Sequence, residues 1–465
     1  MTIDTVTMPK PLFNSVTNQL VYRLIRESET ASWRTSHRSN RQTQARLQQL
    51  LSHAASHSDF YHQRLAGFNI AEWDWQSFRH IPLLTRDELN NQRAAIDCAV
   101  TPQEHGSLMD VTTSGSTGSP VSIKASAYVA AIWWANTLRD HVWHQRDASL
   151  KAGALRWRVQ NEGMAPQGIE LPDWGEPFTQ FLRTGPACFA NSASPISAQL
   201  EWLEKQQPDY LVTHPSNLQA LLDELATRRA QRVSLKQVRT VGEVVDDSLR
   251  ASCLEILGAK LVDFYSTEEL GYVALQCPRH DHYHVLSDSV FVEILRDDGS
   301  PCETGEVGKL VITSLHNYAT PLIRYEIGDM AEVGPSCDCG RTLPVLRRIK
   351  GRVRNMLRMP DGSSKWPNLG FRAIMAVAPL QQFQLVQTDA EALELKLVVQ
   401  ESLQADQEQE IAAILHQFLD YPFKIKFTYL DAIPRSSSGQ YEDFLCLHDA
   451  SPVPELNPTA STLWP

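Results

Sequence analysis

Apolar positions in the first hundred residues recur at helical spacing. Between Gln42 and His57 they fall at Leu47, Leu50, Leu51, Ala54 and Ala55, which lie on one face of a helix. Ile81-Pro82-Leu83-Leu84 interrupts that pattern, and Thr85 ahead of Asp87 and Glu88 reads as an N-cap with an acidic first turn. From about residue 105 to 330 short β-rich runs alternate with helical ones. Asp209 to Thr213 leads into a helical Ser216 to Ala226, Gln237 to Val241 precedes Ser248 to Leu257, and Lys260 to Phe264 follows as a further strand. Such alternation predicts a mostly parallel sheet covered by helices. Between 285 and 333 the pattern becomes strand-rich, at Val290–Ile294, Gly308–Thr313 and Met330–Val333, with a turn at Asp297-Asp298-Gly299. Beyond Lys350-Gly351-Arg352, strand-like runs at Phe383–Val386, Leu393–Val399 and Ile425–Leu430 surround a helical Asp406–Leu419.

The expected fold class is therefore α/β: a large multi-subdomain N-terminal domain with mixed sheets and helices, and a small α+β C-terminal domain. Its expected divisions are a helical region at 1–100, a core at 101–350, a hinge at 351–356, a small domain at 357–450 and an irregular tail at 451–465, rich in Pro, Ser and Thr.

Composition narrows the function classes. A chain of 465 residues is expected to hold about two to three folding units. The net charge of −11, with no basic stripe to offset it, argues against a nucleic-acid partner. No cationic segment leads into an apolar run at the N-terminus, so no signal peptide is expected. No apolar stretch reaches the roughly 18 residues of a membrane helix, so no membrane partner is expected either. Eight cysteines in so long a chain do not make a disulfide framework, and the expected compartment is reducing cytoplasm.

The chemistry concentrates first in Thr112-Thr113-Ser114-Gly115-Ser116-Thr117-Gly118, which packs five hydroxyls and two glycines into seven residues. Glycines let the backbone approach a polyanion, and their N–H groups with the hydroxyls can wrap phosphate oxygens. The spacing is not that of a Walker loop, and no lysine follows the second glycine. Composition alone also fits a polar linker. Four further segments accompany the loop in order: Asp263-Phe264-Tyr265-Ser266-Thr267-Glu268, Pro321 to Asp329, Gly351-Arg352, and Pro434-Arg-Ser-Ser-Ser-Gly439-Gln440.

This set and order resemble the acyl-adenylate-forming superfamily, most closely its phenylacetate–coenzyme A ligase branch and the capsular-polysaccharide-associated relatives. The likeness runs from about residue 45 to 447. It is most specific in Thr113 to Gly118, in Leu315 to Tyr325 and in the Cys-x-Cys-Gly-Arg that follows. The resemblance implies an ATP-dependent ligase that activates a carboxylic acid as acyl-AMP, an aromatic acid by this branch. The acyl group would then pass to coenzyme A, a carrier-protein thiol or an amine. It implies that Thr113, Ser114, Gly115, Ser116, Thr117 and Gly118 hold the β- and γ-phosphates. Tyr265 would stack on adenine, with Gly242, Glu243 and Val244 lining the base. Thr267 would meet the α-phosphate, Glu268 a magnesium ion, Asp329 the ribose hydroxyls, and Arg352 the ribose or phosphate. A small domain that rotates between half-reactions and a possible homodimer are also implied.

Two departures stand out. The position that carries a lysine in the family is Gln440, which can donate hydrogen bonds but brings no charge, and Arg354 and Asn355 replace the acidic pair after Gly-Arg. Adenylation is then expected to be slow, to rely on Lys124, Lys365 or Arg352, or to be lost. The alternatives are an acyl transferase or amide synthetase with weak adenylation, and a silent nucleotide-binding protein.

A second site is suggested by Cys277-Pro-Arg-His280 and Cys337-Asp-Cys339. Two short ligand pairs on separate loops can assemble a structural tetrahedral zinc. His280 is the expected fourth ligand, with His282 and His284 as competitors; free thiols in a polar loop are the alternative. Trp133-Trp134, Trp143 and His144 fall in a helical stretch and are expected in the core, one or two of them open to an acyl pocket. The Arg347 to Arg352 cluster fits a solvated surface as well as a coenzyme A phosphate site.

Overall fold

The computed structural model describes residues 8–33, 36–113, 121–158, 162–228, 233–352, 356–365, 367, 369, 373–374, 377–378, 380–399, 402–433 and 444–447. The chain forms two compact units whose boundary in sequence falls between Lys350 and Gly351.

Among the described residues the first unit holds three sheets, the last strand of which runs two residues past the boundary. β1 (Leu108–Thr112) and β2 (Ser122–Ser126) form an antiparallel hairpin. β3 (Ala152–Arg156), β4 (Ile169–Leu171), β5 (Ala187–Asn191), β6 (Tyr210–Thr213), β7 (Gln237–Thr240) and β8 (Lys260–Val262) form a six-stranded sheet in the order β4-β5-β3-β6-β7-β8. It is parallel except at β4. β9 (Phe264–Thr267), β10 (Gly271–Gln276), β11 (Tyr283–Val285), β12 (Val290–Leu295), β13 (Val307–Ser314), β14 (Tyr325–Val333) and β15 (Val345–Arg352) form a seven-stranded sheet in the order β12-β13-β14-β15-β11-β10-β9.

The helix Ser36–His57 buries Leu47, Leu50, Leu51 and Ala54 in a core shared with Val111, Ile123, Tyr265 and Ile312 of the hairpin and the seven-stranded sheet. Thr85 caps the helix Arg86–Asn91 through a reciprocal capping box with Glu88, as the pattern there predicts. The parallel sheet has a separate core. Leu155, Leu211 and Val238 pack under Leu203, Leu221 and Cys253 of the helices Ile196–Gln206, Pro215–Thr227 and Asp247–Leu257.

The expected strand Lys260 to Phe264 is instead two strands in two sheets, broken at Asp263. The buried Asp263 carboxylate receives Tyr283 Oη–H at 2.7 Å and Thr240 Oγ1–H at 3.0 Å, while its own N–H bonds to Gln276 Oε1 at 2.8 Å. Its backbone therefore leaves the parallel ladder, and the chain crosses from one sheet to the next.

The second unit contains β16 (Leu357–Arg358) and β17 (Ser364–Lys365), followed by β18 (Leu380–Asp389), β19 (Ala392–Val399), β20 (Lys424–Tyr429) and β21 (Phe444–Cys446), the last four ordered β20-β19-β18-β21. The helix Ala405–Leu419 buries Ile411, Leu415 and Leu419 with Leu385, Leu395 and Phe444. Among the described residues no helix is long and apolar enough to cross a membrane.

Candidate functional site

The Ser/Thr/Gly loop is carried on the β1–β2 hairpin, whose register pairs Thr112 with Ser122. Thr113 closes the base of the loop. Its N–H bonds to the Val121 carbonyl at 2.8 Å, and its Oγ1 accepts the Val121 N–H at 2.9 Å. The remaining loop candidates, Ser114, Gly115, Ser116, Thr117 and Gly118, lie outside the described residues, as does Gln440.

β9 brings the next candidates together. Tyr265 is buried, and its hydroxyl donates to Asp329 Oδ2 on β14 at 2.5 Å, so the candidate adenine and ribose residues share one contact. Thr267 pairs with Gly271 across the β9–β10 turn, and its Oγ1 accepts the Leu270 N–H at 3.1 Å. Glu268 stands exposed in that turn. Protein crowding its carboxyl and the neighbouring Glu269 raise its pKa, against the opposing pull of Arg156. Gly271, at φ +75°, lets the turn close where an added Cβ would press within 3.3 Å of the Trp133 ring.

Gly242 follows β7 with φ +85°. The Glu243 carboxylate accepts both the N–H and the hydroxyl of Ser216, at 2.8 and 3.0 Å, at the start of the helix Pro215–Thr227. The side chain is thus spent on a helix N-terminus, where negative charge is favoured.

The hairpin and the Glu268 turn are walls of one small cavity of about 40 Å³, open to solvent. Val111, Ile123, Ile132, Trp133 and Leu270 give it an apolar surface, with Glu268 and Glu269 also in its wall. Ser289, Ser314 and His316 add polar groups. His316 donates Nε2–H to the Asp288 carbonyl at 2.8 Å; burial first, then Arg46, push its pKa down to about 4, so the ring is neutral. Trp133 is therefore a pocket residue, whereas Trp143 is buried and donates to Glu29 Oε2 at 2.8 Å.

One residue escaped the sequence reading. Arg156 ends β3, and among the described residues its guanidinium has no hydrogen-bond or ion-pair partner. It feels the charges of Glu268 and Arg239. No motif marks it; only the strand order places it. Of the cations expected to replace the missing lysine, Lys124 is paired with Asp97 at 3.0 Å. The side chains of Lys365 and Arg352 lie outside the described residues, as do Arg354 and Asn355.

At the cysteine site the structure gathers a different histidine from the expected one. Cys277, Cys337 and Cys339 converge with His284, not His280, their ligand atoms all within 4.8 Å of one another. Cys277 Sγ lies 3.8 Å from Cys337 Sγ, and Cys339 Sγ 3.3 Å from His284 Nε2. The reason is strand geometry. His284 sits on β11, buried and opposite Val345, beside the returning Cys-x-Cys loop. His280 lies out in the connection, partly exposed, with Nε2 at 2.5 Å from Asp338. It also forms a more exposed group with Cys337 and Asp338.

Residues 371–444 match the model of the CapK C-terminal domain. The chain is 27% identical over 246 residues to a phenylacetate–coenzyme A ligase of Thermus thermophilus, which covers 50% of this chain and 55% of that protein. It is 25% identical over 329 residues to the phenylacetate–coenzyme A ligase of Escherichia coli, 68% of this chain and 71% of that one. It thus spans about half the length of the Thermus relative. A crystal structure of 2-hydroxyisobutyryl-CoA ligase in the postadenylation state has the same fold, with a TM-score of 0.69 at 19% identity over 90% of this chain and 91% of the other. The resemblance to the adenylate-forming superfamily and its phenylacetate–coenzyme A ligase-like branch thus stands, with the capsular link carried by the C-terminal match.

Proposed function

We propose, starting from this likeness to acid–coenzyme A ligases, that the protein activates a carboxylic acid with ATP as an acyl-AMP and passes the acyl group to a thiol. The observation that carries the reading is the shared cavity: the phosphate-loop hairpin and the Glu268 turn both form its wall, and Tyr265 on the same strand meets Asp329. Attack of a carboxylate on the α-phosphorus gives acyl-AMP and releases pyrophosphate. Asp329 suits ribose hydroxyls, because an ionised carboxylate only accepts hydrogen bonds. Glu268, open to solvent, fits a hard divalent cation, which would neutralise phosphate charge. The apolar wall of Val111, Ile132 and Trp133 suits an aromatic or other apolar acid.

Coenzyme A is the favoured acceptor, because the Thermus and Escherichia coli relatives are coenzyme A ligases; a carrier-protein thiol or an amine is the second reading. ATP–pyrophosphate exchange across a panel of aryl and alkyl acids tests the reading, and exchange with an aryl acid is the expected result. Absence of exchange with every acid, in protein that still binds ATP, would leave the silent nucleotide-binding protein.

The Cys277, His284, Cys337 and Cys339 group further supports a structural zinc. Two thiolates about 2.3 Å from a tetrahedral zinc lie about 3.8 Å apart, which is the separation of Cys277 and Cys337. Four protein ligands leave no position for substrate, so the ion would hold the β10–β11 turn to the loop after β14. Protein prepared without chelators should contain about one zinc per chain. His284→Ala should lose it and His280→Ala should keep it, as read by elemental analysis.

A further inference from the structure

The buried arginines of the first unit pair with carboxylates, as do the half-buried Arg146 and Arg239. Arg139 meets Asp288 at 3.3 Å, Arg146 and Arg239 meet Asp140 at 2.8 and 2.9 Å, Arg324 meets Glu293 at 2.9 Å, and Arg341 meets Glu29 at 3.2 Å. Such pairing is what a low-dielectric interior demands of a charge. Arg156, half-buried, differs from them, having neither an ion pair nor a side-chain hydrogen bond among the described residues.

Its place in the fold is specific. β3 lies between β5 and β6; the chain passes from β3 to β5 on one side and returns to β6 on the other. That makes β3 and β6 the topological switch point of the parallel sheet, and ligands of open α/β sheets bind beyond the carboxyl ends of strands at that point. Arg156 is the last residue of β3, opposite Asn191 of β5 and one position beyond the Leu155–Thr213 pair with β6. The helix Pro215–Thr227 starts just after β6, with its N-terminus already held by the Glu243 carboxylate. Arg239 repels the guanidinium, while Glu268 attracts it without forming an ion pair. Arg156 is not in the wall of the apolar cavity.

We propose that Arg156 binds a reactant oxyanion at the switch point, a phosphate of ATP or the carboxylate of the acid, and so supplies charge that Gln440 does not. The proposal rests on the acyl-adenylate reading. The two sources of the oxyanion share one chemistry, which a guanidinium fork recognises.

The test compares unaltered protein with Arg156→Gln and Arg156→Lys in ATP–pyrophosphate exchange, with ATP and acid varied separately. Arg156→Gln should lower kcat/KM at least about tenfold, and Arg156→Lys should recover part of the loss. A rise in KM for ATP assigns a phosphate, and a rise in KM for the acid assigns the carboxylate. Loss in kcat alone assigns charge that develops in the transition state. The melting temperature of Arg156→Gln should be unchanged or higher, because an unpaired charge is removed. Exchange within about twofold of the unaltered protein in every parameter would overturn the proposal, as would a loss explained by a lower melting temperature.

Should the unaltered protein exchange with no acid, the adenylation reading fails. Arg156 is then judged by calorimetric binding of ATP and of pyrophosphate: weaker binding to Arg156→Gln supports it, and equal binding overturns it. Should both variants fail to fold, phenylglyoxal labelling of Arg156 in unaltered protein decides. Protection by ATP or by the acid supports the proposal, and unchanged labelling overturns it.

Discussion

At the scale of single residues, the hydroxyl of Tyr265 bonds to Asp329 and so joins the two residues to which the resemblance gives adenine and ribose. If Asp329 accepts ribose hydroxyls, Asp329→Ala should weaken ATP binding by about 1.5–3 kcal/mol, the range for hydrogen bonds to a charged group. Tyr265→Phe removes only the hydroxyl that orients Asp329 and keeps the ring, so its loss should be smaller, about 0.5–1.5 kcal/mol. Calorimetry on folded variants measures both, and a larger loss for Tyr265→Phe would mean that the hydroxyl, not the carboxylate, meets the nucleotide. Asp329 and Tyr265 were legible as chemistry because they sit in recognisable motifs. Arg156 was not, because an arginine between Leu155 and Trp157 carries no signal until the strand order puts it at a switch point.

At the scale of elements, the local pattern located the helices and strands whose faces are set by near neighbours. The expected runs at 209–213, 216–226 and 248–257 match β6 and the helices Pro215–Thr227 and Asp247–Leu257 to within a few residues. The break at Asp263 was not legible, since it depends on Thr240, Gln276 and Tyr283, which are distant in sequence. Burial raises the Asp263 carboxyl to about 6, against the lowering effects of the Tyr283 hydrogen bond and of Arg250. Its unfolded value is about 3.9. The native state therefore holds the proton more tightly than the unfolded chain. This term leaves stability undiminished below about pH 4 and erodes it as pH rises through 6, by on the order of 3 kcal/mol once complete. Asp263→Asn should flatten that part of the pH profile of denaturant unfolding between pH 4 and 6, and an unchanged slope would place the titration elsewhere.

At the scale of the whole molecule, two compact units and a missing lysine define the functional question. In the adenylate-forming cycle that the resemblance implies, the lysine acts in the first half-reaction only. Loss of that charge should slow pyrophosphate exchange and spare transfer from a chemically made acyl-AMP to coenzyme A. Gln440→Lys should then raise exchange by about 10- to 1,000-fold, equivalent to about 1.4–4 kcal/mol of transition-state stabilisation. Fast exchange that this substitution leaves unchanged would mean that a cation already in place, such as Arg156, suffices.

The convergence of His284 with the three cysteines also bears on how distant relatives are compared. Because β11 is a strand, alternate residues point to opposite faces, and the ring beside the thiols is fixed by the pairing of Leu275 with His284 rather than by closeness to Cys277 in sequence. The transferable signature is therefore Cys-x6-His followed by Cys-x-Cys, with the histidine seven residues after the first cysteine. A homologue that keeps Cys-x-x-His but has lost the later histidine would lack the fourth side chain of this cluster, however well its motif aligned.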